Sequence, residues 1–202
     1  MAQQIATIGK QAPLLDVKLD AVVNGEITQV ALSDYTKAGK WVVLAFYPLA
    51  YTFACVSELI ELQEQQAAFA EAGAQVVGCS VDSVFTTNAW MDVPRKKGGI
   101  QGTEYPIISD LTHKIGIAYN TLMDSGHHSR STILIDPTGT VRAIFSQDPP
   151  SGRNVSELVR LVEAYKFAEQ SGGVCPARWT KTNNATIVTD PKGKLEFFEK
   201  TY

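Results

Sequence analysis

Two short stretches of the chain are apolar at nearly every position, which predicts strands that are buried on both faces of a sheet. The first is Trp41–Phe46 (WVVLAF), soon followed by Pro48, and the second is Gln75–Val81 (QVVGCSV). Between them, Ser57–Ala72 carries apolar residues at helical spacing among Glu and Gln, and ends at Gly73 as a helix does. This order of strand, helix and strand predicts a right-handed βαβ unit with a parallel sheet.

The second half of the chain predicts a hairpin followed by an amphipathic helix. The apolar runs 131–135 and 141–145 flank the turn sequence DPTG, a combination typical of a β-hairpin. Residues 154–168 repeat apolar positions three and four residues apart, which predicts a helix with one apolar face. Two shorter helices are expected at 86–91 and 111–119.

These elements predict an α/β protein with a thioredoxin-like fold, in which helices flank a central sheet that is part parallel and part antiparallel. The chain has 202 residues, 45% of them hydrophobic, which suffices for one core that buries roughly 70% of the unfolded surface. Beyond residue 170 the helical periodicity disappears, and Gly, Thr, Asn and Lys dominate. We therefore expect one domain over residues 1–168 and a C-terminal arm over 169–202.

Composition and charge argue against several classes of function. The net charge of -3 arises from 18 basic and 21 acidic residues, so we expect no nucleic-acid partner. The N-terminal residues lack the pattern of a signal peptide, and no window of about 18 apolar residues occurs, so we expect a cytoplasmic protein that binds no membrane. The three cysteines form no C-x-x-C pair and share no ligand spacing with the three histidines, so we expect neither a metal nor another cofactor.

The helix that follows the first predicted strand is expected to start at or just before Cys55, which places the sulfur in the first helical turn. A cysteine in the first turn of a helix faces unpaired backbone N–H groups and the positive end of the helix dipole, and both favour an anion. Cysteines in such positions reach pKa values of about 3.5–7.5 instead of about 8.5. Free cysteine is also among the most buried residue types, so position alone leaves both a reactive thiol and a core thiol open.

The residues around Cys55 favour the reactive thiol. Pro48, Thr52 and Cys55 form the pattern P-x-x-x-T-x-x-C, and the stretch FYPLAYTFACVSE resembles the active-site segment of the typical two-cysteine peroxiredoxins. These are thioredoxin-fold enzymes that reduce hydroperoxides. Four further segments resemble the family in the same order and extend the likeness over most of residues 6–180: VVGCSVDSVFTTNAW, SRSTILIDPTG, GRNVSELVRLVEAYKF and VCPARW.

The resemblance implies a role for each residue of the pattern. Cys55 matches the peroxidatic cysteine, whose thiolate attacks a peroxide oxygen and becomes a sulfenic acid. Thr52 matches the hydroxyl that hydrogen-bonds the peroxide, Pro48 matches the ring that shields the sulfur, and Arg130 matches the guanidinium that stabilises the thiolate and the transition state. Displacement at an O–O bond needs these three things: an anionic nucleophile, an aligned donor and a cation.

Two further charged residues match the family, and three residues depart from it. Glu58 and Arg153 match the residues that orient Arg130, although without the resemblance both would be taken for solvent-facing charges. The family's usual proline after the cysteine is Val56, which restores a backbone N–H in the first helical turn. Ala50 stands where the family usually has an aspartate, and Ser57 stands where it usually has a threonine. We expect Val56 to affect the rate rather than the chemistry.

The resemblance also assigns the other two cysteines. Cys175, in the aperiodic arm, matches the resolving cysteine, which attacks the sulfenic acid of the partner subunit. The likeness therefore implies an obligate homodimer with intersubunit Cys55–Cys175 disulfides, reduced by a thioredoxin-like or other dithiol, and relatives often form rings of five dimers. Cys79 lies in an apolar strand, where a small buried residue is the expected role. His127 and His128 are expected to lie at the surface or to pack a loop.

Three other functions can be compared with the peroxidase. Rings of the family can bind unfolding proteins, so a holdase chaperone stays open, as does a peroxide sensor that relays oxidation from Cys55 to a partner protein. A disulfide reductase of the thioredoxin type is disfavoured, because the chain has no C-x-x-C pair. Consumption of peroxide in the presence of a dithiol would separate catalysis from these alternatives.

Overall fold

The computed structural model describes residues 5–202, which form two compact units that divide between Val155 and Ser156. Among the described residues of the first unit, seven strands form one mixed sheet. These are β1 (Leu19–Val23), β2 (Glu26–Val30), β3 (Trp41–Phe46), β4 (Ala74–Ser80), β5 (Ile107–Ser109), β6 (Arg130–Ile135) and β7 (Val141–Gln147). Their order across the sheet is β2-β1-β5-β4-β3-β6-β7.

The centre of the sheet is the predicted parallel unit. β3 pairs in parallel with β4, and β4 pairs in parallel with β5, whereas the remaining neighbours are antiparallel. All six residues of β3 are buried, as its continuous apolar sequence predicts. The predicted hairpin is also confirmed, because β6 and β7 pair antiparallel on either side of the turn at residues 136–139.

The helices of the first unit differ in detail from the prediction. They are α1 (Leu32–Lys37), α2 (Ala54–Glu64), α3 (Gln66–Ala72), α4 (Val84–Met91) and α5 (Lys114–Ala118), with a 3₁₀ turn at Arg95–Lys97. The predicted helix start just before Cys55 is confirmed, at Ala54, but the continuous helix expected up to Ala72 is wrong, because it breaks at Gln65 into α2 and α3. Gly73 ends α3 in the left-handed conformation, with φ 76°. Ser83 caps α4 by accepting the Thr86 N–H at 3.1 Å.

The sheet brings distant parts of the chain together at one end. α2 begins eight residues after β3 ends, and β6 lies antiparallel beside β3 with Ala45 opposite Thr132. This register places the start of β6, at Arg130, beside the end of β3. The loop that leaves β3 is tied down from the other side, because the Asp82 carboxylate accepts the Ala50 N–H at 2.8 Å.

The second unit runs from Ser156 to Tyr202 and contains two helices among its described residues. α6 (Val155–Ser171) begins at the boundary between the units, and α7 (Pro191–Thr201) lies in the region where the sequence shows no periodicity. The Asp190 carboxylate caps α7 by accepting the N–H groups of Lys192 and Gly193, and Pro191 occupies the first helical position. No helix within residues 5–202 combines the length and the apolar character needed to cross a bilayer.

Candidate active site

Cys55 is the second residue of α2 and is fully buried. The residue that precedes the helix, Phe53, makes no side-chain cap, so no side chain from that position bonds the N–H groups of the first turn. Just before it the chain makes a sharp turn, in which Tyr51 has a φ of 56°. The turn and the helix start together place the sulfur where the helix dipole favours negative charge.

Two predicted side chains contact the sulfur. The Thr52 hydroxyl oxygen lies 3.0 Å from Cys55 Sγ and 2.7 Å from the carbonyl oxygen of Leu49. A hydroxyl has one hydrogen, so Thr52 donates to one of these atoms at a time. The Arg130 guanidinium donates from Nη1 to Sγ at 3.3 Å. The structure therefore brings a hydroxyl and a cation to the same sulfur.

Behind Arg130 lies a buried network of charges centred on Glu58. One oxygen of the Glu58 carboxylate accepts from Arg130 Nη1 at 2.6 Å, and the other accepts from Arg153 Nε at 3.0 Å and from the Arg153 backbone N–H at 2.9 Å. Arg130 Nε also donates to the carbonyl of Pro149 at 2.7 Å, and Arg153 Nη2 donates to the carbonyl of Phe46. The three charged side chains are each at least 95% buried. The network fixes the orientation of Arg130.

The network changes the proton affinity of both guanidinium groups. Burial opposes the charge on Arg130, but its hydrogen bond to Cys55 and the charge of Glu58 outweigh burial and raise the pKa of this group. Burial lowers the pKa of Arg153, and the Glu58 carboxylate offsets only part of that effect. Since arginine does not lose its proton in proteins, both remain cations, and Glu58 supplies their nearest negative charge.

A pocket of about 400 Å³ lies against Cys55. Its wall contains four of the predicted residues, namely Pro48, Thr52, Cys55 and Arg130. The rest of the wall is largely apolar and includes the prolines at 149 and 150, Leu49 and the 95% exposed ring of Phe53, together with the imidazole of His127. A small electrophile in this pocket would lie close to the Cys55 sulfur, the Thr52 hydroxyl and the fixed cation of Arg130.

Comparisons with known proteins agree with this geometry. The sequence pattern of the AhpC/TSA family matches residues 8–144. The chain is 46% identical over 198 residues to Peroxiredoxin-4 of Dictyostelium discoideum, a match that covers 98% of this chain and 74% of the relative. It is 44% identical over 194 residues to peroxiredoxin tpx1 of Schizosaccharomyces pombe, covering 96% and 97% of the two chains. The crystal structure of reduced Plasmodium vivax 2-Cys peroxiredoxin has a TM-score of 0.90 at 35% identity and covers 95% of this chain and 98% of that chain.

The chain is a two-cysteine peroxiredoxin of the AhpC/TSA family. It therefore has the thioredoxin-like fold predicted from its sequence and is a thiol-dependent peroxidase, an oxidoreductase. These matches do not favour the alternative functions of peroxide sensor or holdase.

The two other cysteines of this peroxiredoxin lie in contrasting environments. Cys79 is fully buried in β4, where burial raises the pKa of its thiol well above the ordinary value. Cys175, in the second unit, is half-buried, and its thiol donates to the carbonyl of Ala164 at 3.3 Å. Burial raises the pKa of Cys175, an effect that the charge of Arg160 opposes. All three cysteines are free thiols.

The two histidines ahead of Arg130 occupy positions that the sequence did not reveal. His128 is fully buried, with Nδ1 3.1 Å from the Thr121 hydroxyl and Nε2 3.5 Å from the Asp110 carboxylate. Burial, with the charges of His113 and His127, lowers the pKa of His128 to about 4. His127 lines the Cys55 pocket instead. Within residues 5–202, no group of three or more His, Cys, Asp or Glu side chains is arranged to hold a metal ion.

Proposed function

We propose that this peroxiredoxin reduces hydroperoxides through Cys55, with Thr52 and Arg130 as its catalytic partners. The observation that carries the proposal is the convergence on one sulfur: Thr52 Oγ1 lies at 3.0 Å and Arg130 Nη1 at 3.3 Å, beside a pocket that Pro48 and Pro149 also line. Hydrogen peroxide and organic hydroperoxides share the O–O–H group that this arrangement fits.

In the first step, the Cys55 thiolate attacks the terminal oxygen of the hydroperoxide. An S–O bond forms, the O–O bond breaks, and the leaving hydroxide or alkoxide takes up a proton to become water or an alcohol. Negative charge moves from the sulfur to the leaving oxygen, where the Arg130 cation can stabilise it and the Thr52 hydroxyl can donate a hydrogen bond. Glu58 and Arg153 contribute indirectly, because they hold Arg130 in the orientation that this step needs.

In the second step, Cys175 of the partner subunit attacks the sulfenic acid on Cys55. An S–S bond forms and water leaves, and a dithiol then reduces the disulfide. A relative that is 42% identical over 198 residues is named thioredoxin-dependent peroxide reductase, from Drosophila melanogaster mitochondria, which supports a thioredoxin-like reductant. The resting Cys175 is a half-buried free thiol, which suits a residue that must become accessible during turnover.

The second step requires a homodimer, and we propose β7 as the strand through which the subunits pair. β7 lies at one edge of the sheet, and an edge strand offers unpaired backbone groups to another chain.

A further assembly into a ring of five dimers is part of the same proposal. A relative from Plasmodium yoelii, modified at its N-terminus, forms an artifactual octamer. The cytoplasmic location expected from the sequence stays a prediction.

Peroxide consumption with thioredoxin, thioredoxin reductase and NADPH tests this function. The wild type is expected to turn over, Cys55→Ser is expected to lose peroxide reduction, and Cys175→Ser is expected to lose turnover while Cys55 is still oxidised once. Cys79→Ser is the matched control, because it removes a buried thiol without touching the pocket. Full turnover by Cys55→Ser would refute the assignment, and an oxidised wild type that stays monomeric on a non-reducing gel would refute the intersubunit disulfide.

A further inference from the structure

The pocket beside Cys55 is larger than hydrogen peroxide requires. It has a volume of about 400 Å³, whereas one water molecule takes up about 30 Å³ in the liquid, and hydrogen peroxide has one more oxygen. The remaining wall includes the apolar side chains of Leu49, Phe53, Pro149 and Pro150. The volume of the pocket and its apolar lining can accommodate the organic part of a larger hydroperoxide.

His127 is the polar side chain on this wall whose hydrogen bonds do not reach the sulfur. Thr52 and Arg130 line the same pocket, and both contact Cys55 Sγ. Among the described residues, the His127 imidazole makes its hydrogen bonds within its own loop instead. Thr52 and Arg130 therefore meet the O–O–H group, and His127 is placed to meet another part of the substrate.

One hydrogen bond fixes the tautomer of His127. Nδ1 lies 3.1 Å from the carbonyl oxygen of His128, so Nδ1 carries a hydrogen, because a carbonyl can only accept. In the neutral ring Nε2 is then an acceptor, and the Ser125 hydroxyl lies 3.1 Å from it. Ser125 is exposed, whereas His128 is fully buried, so the Nε2 edge of the ring faces solvent and not the core.

We propose that His127 is a specificity-determining residue for hydroperoxides whose organic part carries a hydroxyl group. Such a hydroxyl can take the place of the Ser125 hydroxyl at Nε2, while the carbon chain contacts the apolar wall at Phe53 and Pro149. The inference rests on the proposed peroxidase function. The bonds made and broken at Cys55 are unchanged, and the leaving group is a diol in place of a simple alcohol.

The test compares two hydroperoxides that differ by one hydroxyl, 3-hydroxy-1,1-dimethylbutyl hydroperoxide and 1,1-dimethylbutyl hydroperoxide. The ratio of their kcat/KM values is measured with the thioredoxin system for each variant. Because the substrate hydroxyl replaces the exposed Ser125 hydroxyl at Nε2, the gain is at the low end for a hydrogen bond, which predicts a wild-type ratio of about twofold to threefold in favour of the hydroxylated compound. His127→Leu, which removes the acceptor, is expected to bring the ratio to about one. His127→Gln retains an acceptor oxygen and is expected to keep part of the preference.

The ratio separates specificity from a structural role, because any change in the reactivity of Cys55 affects both substrates equally. His113→Asn is the matched control: it removes an imidazole that is not among the residues lining the Cys55 pocket, and asparagine tolerates the positive φ of this position. A wild-type ratio of one, or an unchanged ratio in His127→Leu, would overturn the inference while hydrogen peroxide reduction continues. Failure of the wild type to reduce hydrogen peroxide would instead overturn the proposed function, and the inference with it.

Discussion

Replacement of Glu58 by glutamine changes the charge at the centre of the buried network and keeps its shape. The carboxylate is 97% buried and accepts from Arg130 Nη1 at 2.6 Å and from Arg153 Nε at 3.0 Å through different oxygens. In the Glu58→Gln variant one of these oxygens becomes an amide NH2, which is a donor and cannot accept from a guanidinium. Two buried cations would then lose their shared negative charge, and one of them would also lose a hydrogen bond.

We expect Glu58→Gln to lower the free energy of unfolding by a large amount for a single change that preserves side-chain shape. Removal of one partner from a buried ion pair costs about 3–5 kcal/mol in unfolding free energy, because it leaves an uncompensated charge in the interior. Glu64→Gln is the matched control on the same helix, since Glu64 is 57% exposed and pairs across 3.1 Å with the 38% exposed Arg95. An exposed pair of this kind contributes about 0–1 kcal/mol.

Urea unfolding measures the loss of unfolding free energy in each variant relative to the wild type. All three proteins are compared at one protein concentration and with Cys55 reduced. Equal concentration matters, because association between subunits adds to apparent stability. We expect Glu58→Gln also to slow the reaction of Cys55 with peroxide, because Arg130 loses the negative charge that orients it. If Glu58→Gln is no less stable than Glu64→Gln, the reasoning about the buried network is wrong.

The remaining predictions concern Arg130 and the buried His128. Arg130→Met is expected to slow peroxide attack in stopped-flow assays by a factor of about a hundred or more, whereas Arg142→Met, which loses a partly exposed bond to Asp136, is not. Gly116→Ala should lower the free energy of unfolding by about 1–3 kcal/mol, measured by thermal or urea unfolding, because the alanine Cβ would lie 2.5 Å from Cε1 of His128. The same substitution should cost less in a chain that already carries His128→Ala, because the clashing ring is absent. The free energy of unfolding should fall as the pH is lowered from 6.5 towards about 4, because in that window the unfolded chain binds a proton at His128 that the folded chain does not. His128→Ala should make the free energy of unfolding depend less on pH in this window.

The parts of the fold that the sequence predicted are those whose local pattern matches their burial. β3 and β4 are buried on both faces and are continuous apolar runs, so their pattern alone indicates central strands. The β1–β2 hairpin was missed because β2 is exposed at four of its five positions and has no apolar run. Its turn is Asn24-Gly25, with φ values of 49° and 77°, and this dipeptide is a hairpin signal that periodicity does not detect.

The site was predictable to different degrees for local and distant residues. Pro48, Thr52 and Cys55 are close together along the chain, and the resemblance of their pattern to the family predicted a common site. Glu58, Arg130 and Arg153 come from α2, the start of β6 and a later loop, and only the family resemblance connected them before the structure was known. The role of His127 on the pocket wall was missed, because adjacent histidines in a loop carry no signal that tells which one faces the site and which one the core.

One single-turnover measurement shows whether Cys55 is the residue that reacts with peroxide. Reduced Cys175→Ser protein is treated with an equimolar amount of hydrogen peroxide in the presence of dimedone, which traps sulfenic acid, and the labelled peptide is identified by mass spectrometry. The label is predicted on Cys55, and it should disappear in the Cys55→Ser/Cys175→Ser double variant. Label on Cys79, or consumption of peroxide at the same rate by the double variant, would contradict the account.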